Sequence, residues 1–89
     1  MIPEQRLEAE IWRIVGEVAA DLAPQARGTS LEYDDLVGVG WMRVAEALAT
    51  SKAEPQATHI ARHARFAMRD VIARERREAN RVESHALAY

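Results

Sequence analysis

The sequence contains no cysteine, and this absence excludes several kinds of site at once. Disulfide bonds, thiolate metal ligands and cysteine nucleophiles cannot form in these 89 residues. No stretch approaches the roughly 18 apolar residues that a membrane-spanning helix needs, and the N-terminus lacks the cationic start and apolar run of a secretory signal. We therefore expect a protein of a reducing compartment, the cytoplasm, with no membrane partner.

Aromatic residues are also scarce, at 6%, and there are only four glycines and three prolines. No low-complexity tract or internal repeat occurs. The hydrophobic fraction, 48%, is too high for a disordered chain, and 89 residues suffice for one domain but not for two. The sequence predicts a single domain over residues 1–89, with a flexible tail from about residue 82.

The 14 acidic and 12 basic side chains are unevenly distributed along the chain. Residues 1–51 hold nine acidic and four basic side chains, whereas residues 52–89 hold five acidic and eight basic ones. This asymmetry favours one surface for nucleic acid and another for a different partner. The alternative is that solvated helix faces differ in sign by chance.

Apolar residues recur at helical spacing in three long segments, and no segment alternates with a period of two. The first predicted helix runs from about Pro3 to Leu22 and ends just before a proline. The second follows a loop in which Thr29 and Glu32 are spaced as in a capping box, and it ends near Thr50.

The third predicted helix opens at Pro55, and its periodic pattern fades past about Arg81. These segments predict an all-α fold, a small bundle of three main helices. The side chains expected to face the core are Leu7, Ile11, Ile14, Val15, Val18 and Leu22 in the first helix, Val37, Trp41, Val44 and Leu48 in the second, and Ile60, Ala64, Ala67, Met68, Val71 and Ile72 in the third.

Two glycines lie inside the second predicted helix, although each costs about 1 kcal/mol there relative to alanine. They are Gly38 and Gly40, within the stretch DDLVGVGWMRVAEAL. No strand precedes them, so they do not form a nucleotide-binding loop. Their presence requires another physical reason.

The sequence offers little for catalysis or metal binding. Asp34 and Asp35 are adjacent, and neighbours on a helix point about 100° apart, so they cannot easily share a substrate as an acid–base pair. His59 and His63 are spaced i, i+4, but Ile60 stands where the zinc-protease pattern has glutamate. We expect neither an enzyme nor a bound metal or cofactor.

Six arginines lie between residues 62 and 77 of the third predicted helix, with His59 just upstream and His63 among them. Such a basic face can follow a phosphate backbone. Glutamates interrupt it, and pairs such as Arg74 with Glu78 are spaced for intramolecular ion pairs. On the residues alone, nucleic-acid binding and a solvated helix face both stay open.

The stretch DDLVGVGWMRVAEAL resembles the second conserved region of bacterial RNA polymerase sigma factors of the sigma-70-like family, which carry D-L-V-Q-x-G-x-x-G-L-x-x-A there. WRIVGEVAADLA upstream is similar to the family's L-P-L-V-x-x-I-A-x-x-L, and ATHIARHARFAMRD downstream to S-T-Y-A-x-x-R-I-R-G-A-M-L-D. The three motifs follow the family's order and cover roughly residues 7–77. The matching residues of the second and third motifs are Asp35, Leu36, Val37, Gly40, Val44, Ala47, Thr58, Arg65, Ala67, Met68 and Asp70.

The resemblance implies a helical domain with two partners. In the family, the second of these helices docks on the clamp helices of the polymerase β′ subunit, and the third faces the −10 promoter element and its melted strand. The residues expected to bind core RNA polymerase are Asp34, Asp35, Gly38, Val39, Trp41, Met42 and Ala45. Those expected to bind DNA are His59, Arg62, His63, Arg65, Phe66, Arg69, Arg74, Arg76 and Arg77.

Some positions depart from the family pattern. Gly40 matches a family glycine, which implies close helix packing, whereas Gly38 stands where a clamp-binding glutamine is usual. Trp41 is expected either as an aromatic anchor for the clamp or as a core residue. At the DNA face, His59 and Arg62 stand where aromatic residues are usual, so less stacking energy is expected to drive promoter melting.

Three alternatives follow. The chain is a transcription-initiation module, whether an excised domain, a stand-alone factor or half of a two-polypeptide sigma factor. Alternatively, it is an RNA polymerase-binding regulator or co-sigma subunit that does not melt promoters by itself, with a second sigma subunit or an anti-sigma factor as a further partner. The third alternative is an unrelated helical protein that oligomerises, and its two tryptophans offer a homodimer contact.

Overall fold

Three α-helices form most of the molecule. The computed structural model describes residues 4–51 and 55–87, with side chains described from residue 6 to residue 81 of these ranges. The helices are α1 over Glu4–Leu22, α2 over Tyr33–Thr50 and α3 over Ala57–Leu87, and a short 3-10 helix over Ala23–Ala26 follows α1 directly. The predicted start of the first helix at Pro3 lies outside the described residues. The described ranges contain no strand, and the predicted all-α bundle of three main helices is confirmed.

The core is one apolar cluster at the centre of the bundle, where each helix packs against the other two. Because aliphatic side chains recur every three or four residues, each helix turns one face inward. The buried side chains are Ile11, Ile14, Val15, Val18, Ala19 and Leu22 of α1, Ala26 of the 3-10 helix, Leu36 and Val44 of α2, and Ile60, Ala64, Met68 and Ile72 of α3.

The buried row of α2 is rotated relative to the predicted one. Leu36, Gly40 and Val44, which are four residues apart, face the core. Val37 and Trp41 are only partly buried, at the edge of the cluster. Apolar periodicity does not reveal this rotation, because glycine has no side chain that marks it as core-facing.

Gly40 lies at the closest approach of α2 to its neighbours. A Cβ atom added there would lie 2.5 Å from Met68 Cε, 3.0 Å from Val15 Cγ1 and 3.4 Å from Ala64 Cβ. Side chains of α1 and α3 therefore occupy the space that a residue other than glycine would need. A Cβ atom added at Gly38 would meet nothing within 4 Å. The expected role of Gly40 in close helix packing is confirmed, whereas packing gives no reason for Gly38.

The connection between α1 and α2 is a turn held by Thr29. Gly28 has a φ of 85°, in the left-handed region that glycine adopts without steric cost. The Thr29 hydroxyl donates to the Ala26 carbonyl at 2.5 Å and accepts the Leu31 backbone N–H at 3.1 Å. Thr29 therefore stabilises the turn and not the start of α2, so the predicted capping box of Thr29 and Glu32 is wrong.

The third helix is longer than its apolar pattern predicts. α3 begins two residues after Pro55, and its helical backbone continues to Leu87, beyond the predicted end near Arg81. Among the side chains of α3 that the structure describes, which end at Arg81, the last buried one is Ile72, so the turns over 73–81 extend past the core. The tail expected to be flexible starts at about residue 82, and its side chains lie outside the described residues. Among the described helices, none is both long enough and apolar enough to span a bilayer.

Leucine substitutions at the two glycines should separate packing from helix propensity. Gly40→Leu forces a large side chain against Val15 and Ala64, and we expect it to lower the free energy of unfolding by about 1–3 kcal/mol. Gly38→Leu, the matched control, should raise the free energy of unfolding by up to about 1 kcal/mol, because leucine favours the helix more than glycine. Urea denaturation followed by circular dichroism measures both. Equal stabilisation by the two substitutions would contradict close packing at Gly40.

Candidate functional site

The residues expected to bind polymerase lie on the side of α2 that points away from the core. We call these seven residues the outer face of α2. Two of them, Val39 and Trp41, are partly buried, the first near α3 and the second near α1. The five exposed members are Asp34, Asp35, Gly38, Met42 and Ala45.

Asp35 has a structural role at the start of α2. Its carboxylate accepts a hydrogen bond from the Glu32 backbone N–H at 2.8 Å, within a capping box that has Glu32 at the N-cap position. The box therefore lies three residues later in the chain than predicted. Asp34 and Asp35 also place negative charge in the first turn, where the helix dipole favours it. Any effect of Asp35 on binding is consequently combined with an effect on the helix.

Trp41 packs against Trp12 of α1, which was not among the residues expected to bind polymerase. The two indole rings are stacked, with centroids 4.2 Å apart and planes 2° apart. Trp12 remains 42% exposed, so the pair lies at the surface where α1 meets α2. Trp41 is therefore packed at the edge of the core of its own chain, and its expected role as an anchor for the clamp stays a prediction. One sequence signal pointed to Trp12: this large aromatic residue directly follows the core residue Ile11, at the edge of the apolar face of α1.

Five of the residues expected to bind DNA form a row along the exposed side of α3. We call this row the basic stripe; it consists of His59, Arg62, Phe66, Arg69 and Arg77. The stripe spans about 27 Å at 1.5 Å per residue. All five side chains are exposed, and the structure shows none of them in an ion pair within the described ranges. His63 is also exposed, on the flank of α3 that faces α2.

Two other arginines of the predicted DNA-binding set hold α3 against the rest of the bundle. Arg65 pairs with Asp21 of α1 at 2.7 Å. Arg76 donates a hydrogen bond to the Gln25 carbonyl in the 3-10 helix. These two guanidinium groups already have partners on other elements, so a nucleic acid would compete for them with the fold itself.

A third arginine of the set, Arg74, has a partner on its own helix. It pairs with Asp70 at 2.8 Å, whereas Glu78 pairs with Arg81 at 3.2 Å. The predicted pair of Arg74 with Glu78 is not formed. Both observed pairs are exposed and local, and such pairs contribute only about 0.2–0.5 kcal/mol. A phosphate group could replace Asp70 as the partner of Arg74 at little cost.

A groove between α2 and α3 brings together two residues from each predicted set, Val39 and Met42 from α2 and Phe66 and Arg74 from α3. Met42 of the outer face and Phe66 of the basic stripe line this groove, and they are 65% and 64% exposed. Its volume is about 330 Å³. The Arg43 guanidinium carbon lies 5.7 Å from the centre of the Phe66 ring, a cation–π contact. The two predicted surfaces therefore adjoin each other, although sequence reasoning assigned them to separate partners.

The solvent face of α1 carries a local ion-pair network. Arg13 donates hydrogen bonds to Glu10, at 3.2 Å through Nε, and to Glu17 at 2.9 Å. The hydrogen bond from Arg13 holds the pKa of Glu10 below its usual value. Hydrogen bonds and charge from the two glutamates raise the pKa of Arg13. The single guanidinium of Arg13 is thus shared by the carboxylates of Glu10 and Glu17 on this face.

The described residues contain no cluster of three or more histidine, aspartate or glutamate side chains placed to hold a metal ion. His59 and His63 therefore belong to no such cluster. No protein-family model matches the sequence, and comparisons with curated proteins and with solved structures also give no match. The functional interpretation therefore depends on the sequence motifs, the outer face of α2 and the basic stripe.

Substitutions of the two neighbouring aspartates should separate capping from surface charge. Asp35→Ala removes the acceptor for the Glu32 N–H, so we expect the free energy of unfolding to fall by about 1 kcal/mol. Asp35→Asn keeps an oxygen acceptor and should change it by less than about 0.5 kcal/mol. Asp34→Ala, the matched control, loses only the dipole interaction, about 0.3–1 kcal/mol. Urea denaturation provides the comparison, and a larger loss with Asp34→Ala than with Asp35→Ala would contradict the capping role.

Proposed function

We propose that this chain is a sigma-factor-like module of transcription initiation. It binds core RNA polymerase, at the clamp helices of β′, through the outer face of α2, and −10 promoter DNA through the basic stripe of α3. The setting is the cytoplasm of a bacterial cell. The proposal joins the three ordered sequence motifs with the exposure of most residues in both predicted sets.

The basic stripe is the observation that carries the proposal. Arg62, Arg69 and Arg77 are exposed and lie on the same face of α3 as the exposed ring of Phe66. Guanidinium groups attract phosphates, and an aromatic ring can stack on an unpaired base, which is the combination that single-stranded nucleic acids require. A solvated helix face accounts for the charges, but exposed Phe66 lines a groove together with exposed Met42, and two large apolar side chains in one patch are more typical of a binding surface.

The outer face of α2 has the character expected of a protein-binding surface. Met42 and the partly buried Trp41 supply apolar area, and Asp34 supplies charge at one end. Large apolar and aromatic side chains carry much of the energy of protein interfaces, and charged residues at the rim guide association. This surface adjoins the basic stripe, so one molecule could contact polymerase and DNA together.

A second candidate function is that of a polymerase-binding regulator or co-sigma subunit that does not melt promoters by itself. Phe66 is the single aromatic residue of the basic stripe, and stacking on one base contributes roughly 1–3 kcal/mol. Opening several base pairs requires more than one such contact. In this case the protein has a further partner, which is either a second sigma subunit or an anti-sigma factor that binds the same surface.

Potassium permanganate footprinting of promoter DNA with core polymerase and this protein separates the two candidates. Unpaired thymines at the −10 element support the initiation module. Binding to polymerase without unpaired thymines supports the regulator. Absence of any binding to core polymerase would contradict both and would leave the unrelated helical protein.

Removal of arginines from the basic stripe should change the salt dependence of DNA binding. We expect Arg62→Ala and Arg69→Ala each to weaken binding to a single-stranded −10 oligonucleotide and to reduce the slope of log affinity against log salt by about 0.7. Arg65→Ala is the matched control, because Arg65 is already paired with Asp21 and should alter the slope less. Fluorescence anisotropy at several salt concentrations measures the slopes. A slope that Arg62→Ala and Arg69→Ala leave unaltered would refute phosphate contacts by the stripe.

Substitutions on the outer face of α2 should shift affinity for an isolated β′ clamp-helix fragment in both directions. Met42→Ala removes exposed apolar area and should weaken binding by about fivefold or more. Gly38→Gln introduces the amide that the family resemblance implies, in open space, and should strengthen binding by up to about tenfold through one added hydrogen bond. Gly38→Ala controls for helix propensity, and Arg77→Ala controls for a change remote from α2. Calorimetric titration in which Met42→Ala matches wild type would count against docking at this face.

A further inference from the structure

The stacked tryptophan pair extends the candidate protein-binding surface from α2 onto α1. Trp12 was not among the residues expected to bind polymerase, yet its ring covers Trp41 at 4.2 Å. A partner that reaches Trp41 must therefore meet Trp12 as well. Trp12 remains 42% exposed, although burying it fully would stabilise so small a bundle.

Exposed carboxylates lie on both helices beside this pair. Glu8 is one turn before Trp12 on the same face of α1, and Asp34 is two turns before Trp41 on the same face of α2. Neither forms an ion pair within the described residues. The neighbouring cation, Arg13, is already held by two glutamates. The tryptophan pair is thus flanked along the two helices by two exposed carboxylates that form no ion pair in the described part of the chain.

The surface of α2 also carries small residues one turn before and one turn after Trp41. Gly38 carries no side chain, and a Cβ atom there would have no neighbour within 4 Å. Ala45, one turn after Trp41, is exposed and small. A second helix can therefore approach the backbone of α2 closely, within the 8–10 Å between axes that is usual for packed helices.

We propose that Trp12 and Trp41 together form a two-helix aromatic site for a basic α-helical segment of a protein partner. An arginine or lysine of that segment lies against the exposed indole of Trp12, and Glu8, one turn away on α1, neutralises its charge. Among the aromatic side chains, the indole ring of tryptophan attracts a cation most strongly. The inference rests on the proposed function, because the segment then belongs to the polymerase clamp, and it adds α1 to the binding surface.

The test uses the full chain and the β′ clamp-helix fragment as the probe. Trp12→Ala should weaken binding by about tenfold or more, as expected for a tryptophan at the centre of an interface, and Trp12→Phe should restore part of the affinity. Glu8→Gln should weaken binding by about two- to fivefold and make it less sensitive to salt. Glu17→Gln is the matched control, because it removes the same charge from α1 on the face occupied by Arg13 and should bind as wild type does.

Circular dichroism of each variant shows whether the bundle is retained, and the exposed substitution Glu8→Gln keeps the test valid if Trp12→Ala does not fold. Affinities of Trp12→Ala and Glu8→Gln both within twofold of wild type overturn the aromatic site while leaving docking on α2 intact. A wild-type chain that does not bind the fragment at all overturns the proposed polymerase contact and this inference together.

Discussion

The close approach of α2 to both neighbouring helices at Gly40 is the constraint on which the remaining arrangement depends. Val15, Ala64 and Met68 occupy the space where a side chain at that position would stand. With this contact fixed, α2 can turn only one side inward, and Leu36 shares that side. The opposite side is then directed outward, which explains why the acidic first turn and the methionine of α2 are accessible.

The third helix performs two tasks with one residue type. Arg65 and Arg76 point toward α1 and the 3-10 helix, where an aspartate and a backbone carbonyl hold them. Arg62 and Arg69 lie one turn from Arg65, on the adjacent and more exposed flank of α3, and have no such partner in the described part of the chain. A count of arginines therefore overstates the charge that is available to a phosphate backbone, and position on the helix decides which cations can act.

Much of the fold was predictable from the sequence, because helix formation depends on local spacing. The ends of α1 at Leu22 and of α2 at Thr50 agree with the predicted ones, and the predicted core side chains of α1 and α3 are buried or packed against the core, except for Ala67, which is only partly buried. Prediction failed where two local arrangements compete for the same residues. By spacing, Glu32 can form a capping box with either Thr29 or Asp35. The Thr29 hydroxyl is bonded within the turn, and the box at the start of α2 is formed by Glu32 and Asp35.

The sequence by itself determined an all-α chain, its three helices and the residue types on each face, because periodicity and charge are properties of neighbouring residues. Only the tertiary structure decided that Trp12 stacks on Trp41, that Met42 meets Phe66 across a groove, and which of the two glycines is enclosed. These contacts join residues far apart in the chain, and they depend on the rotation of each helix within the bundle. That rotation follows from how all three helices pack at once, which no single segment specifies.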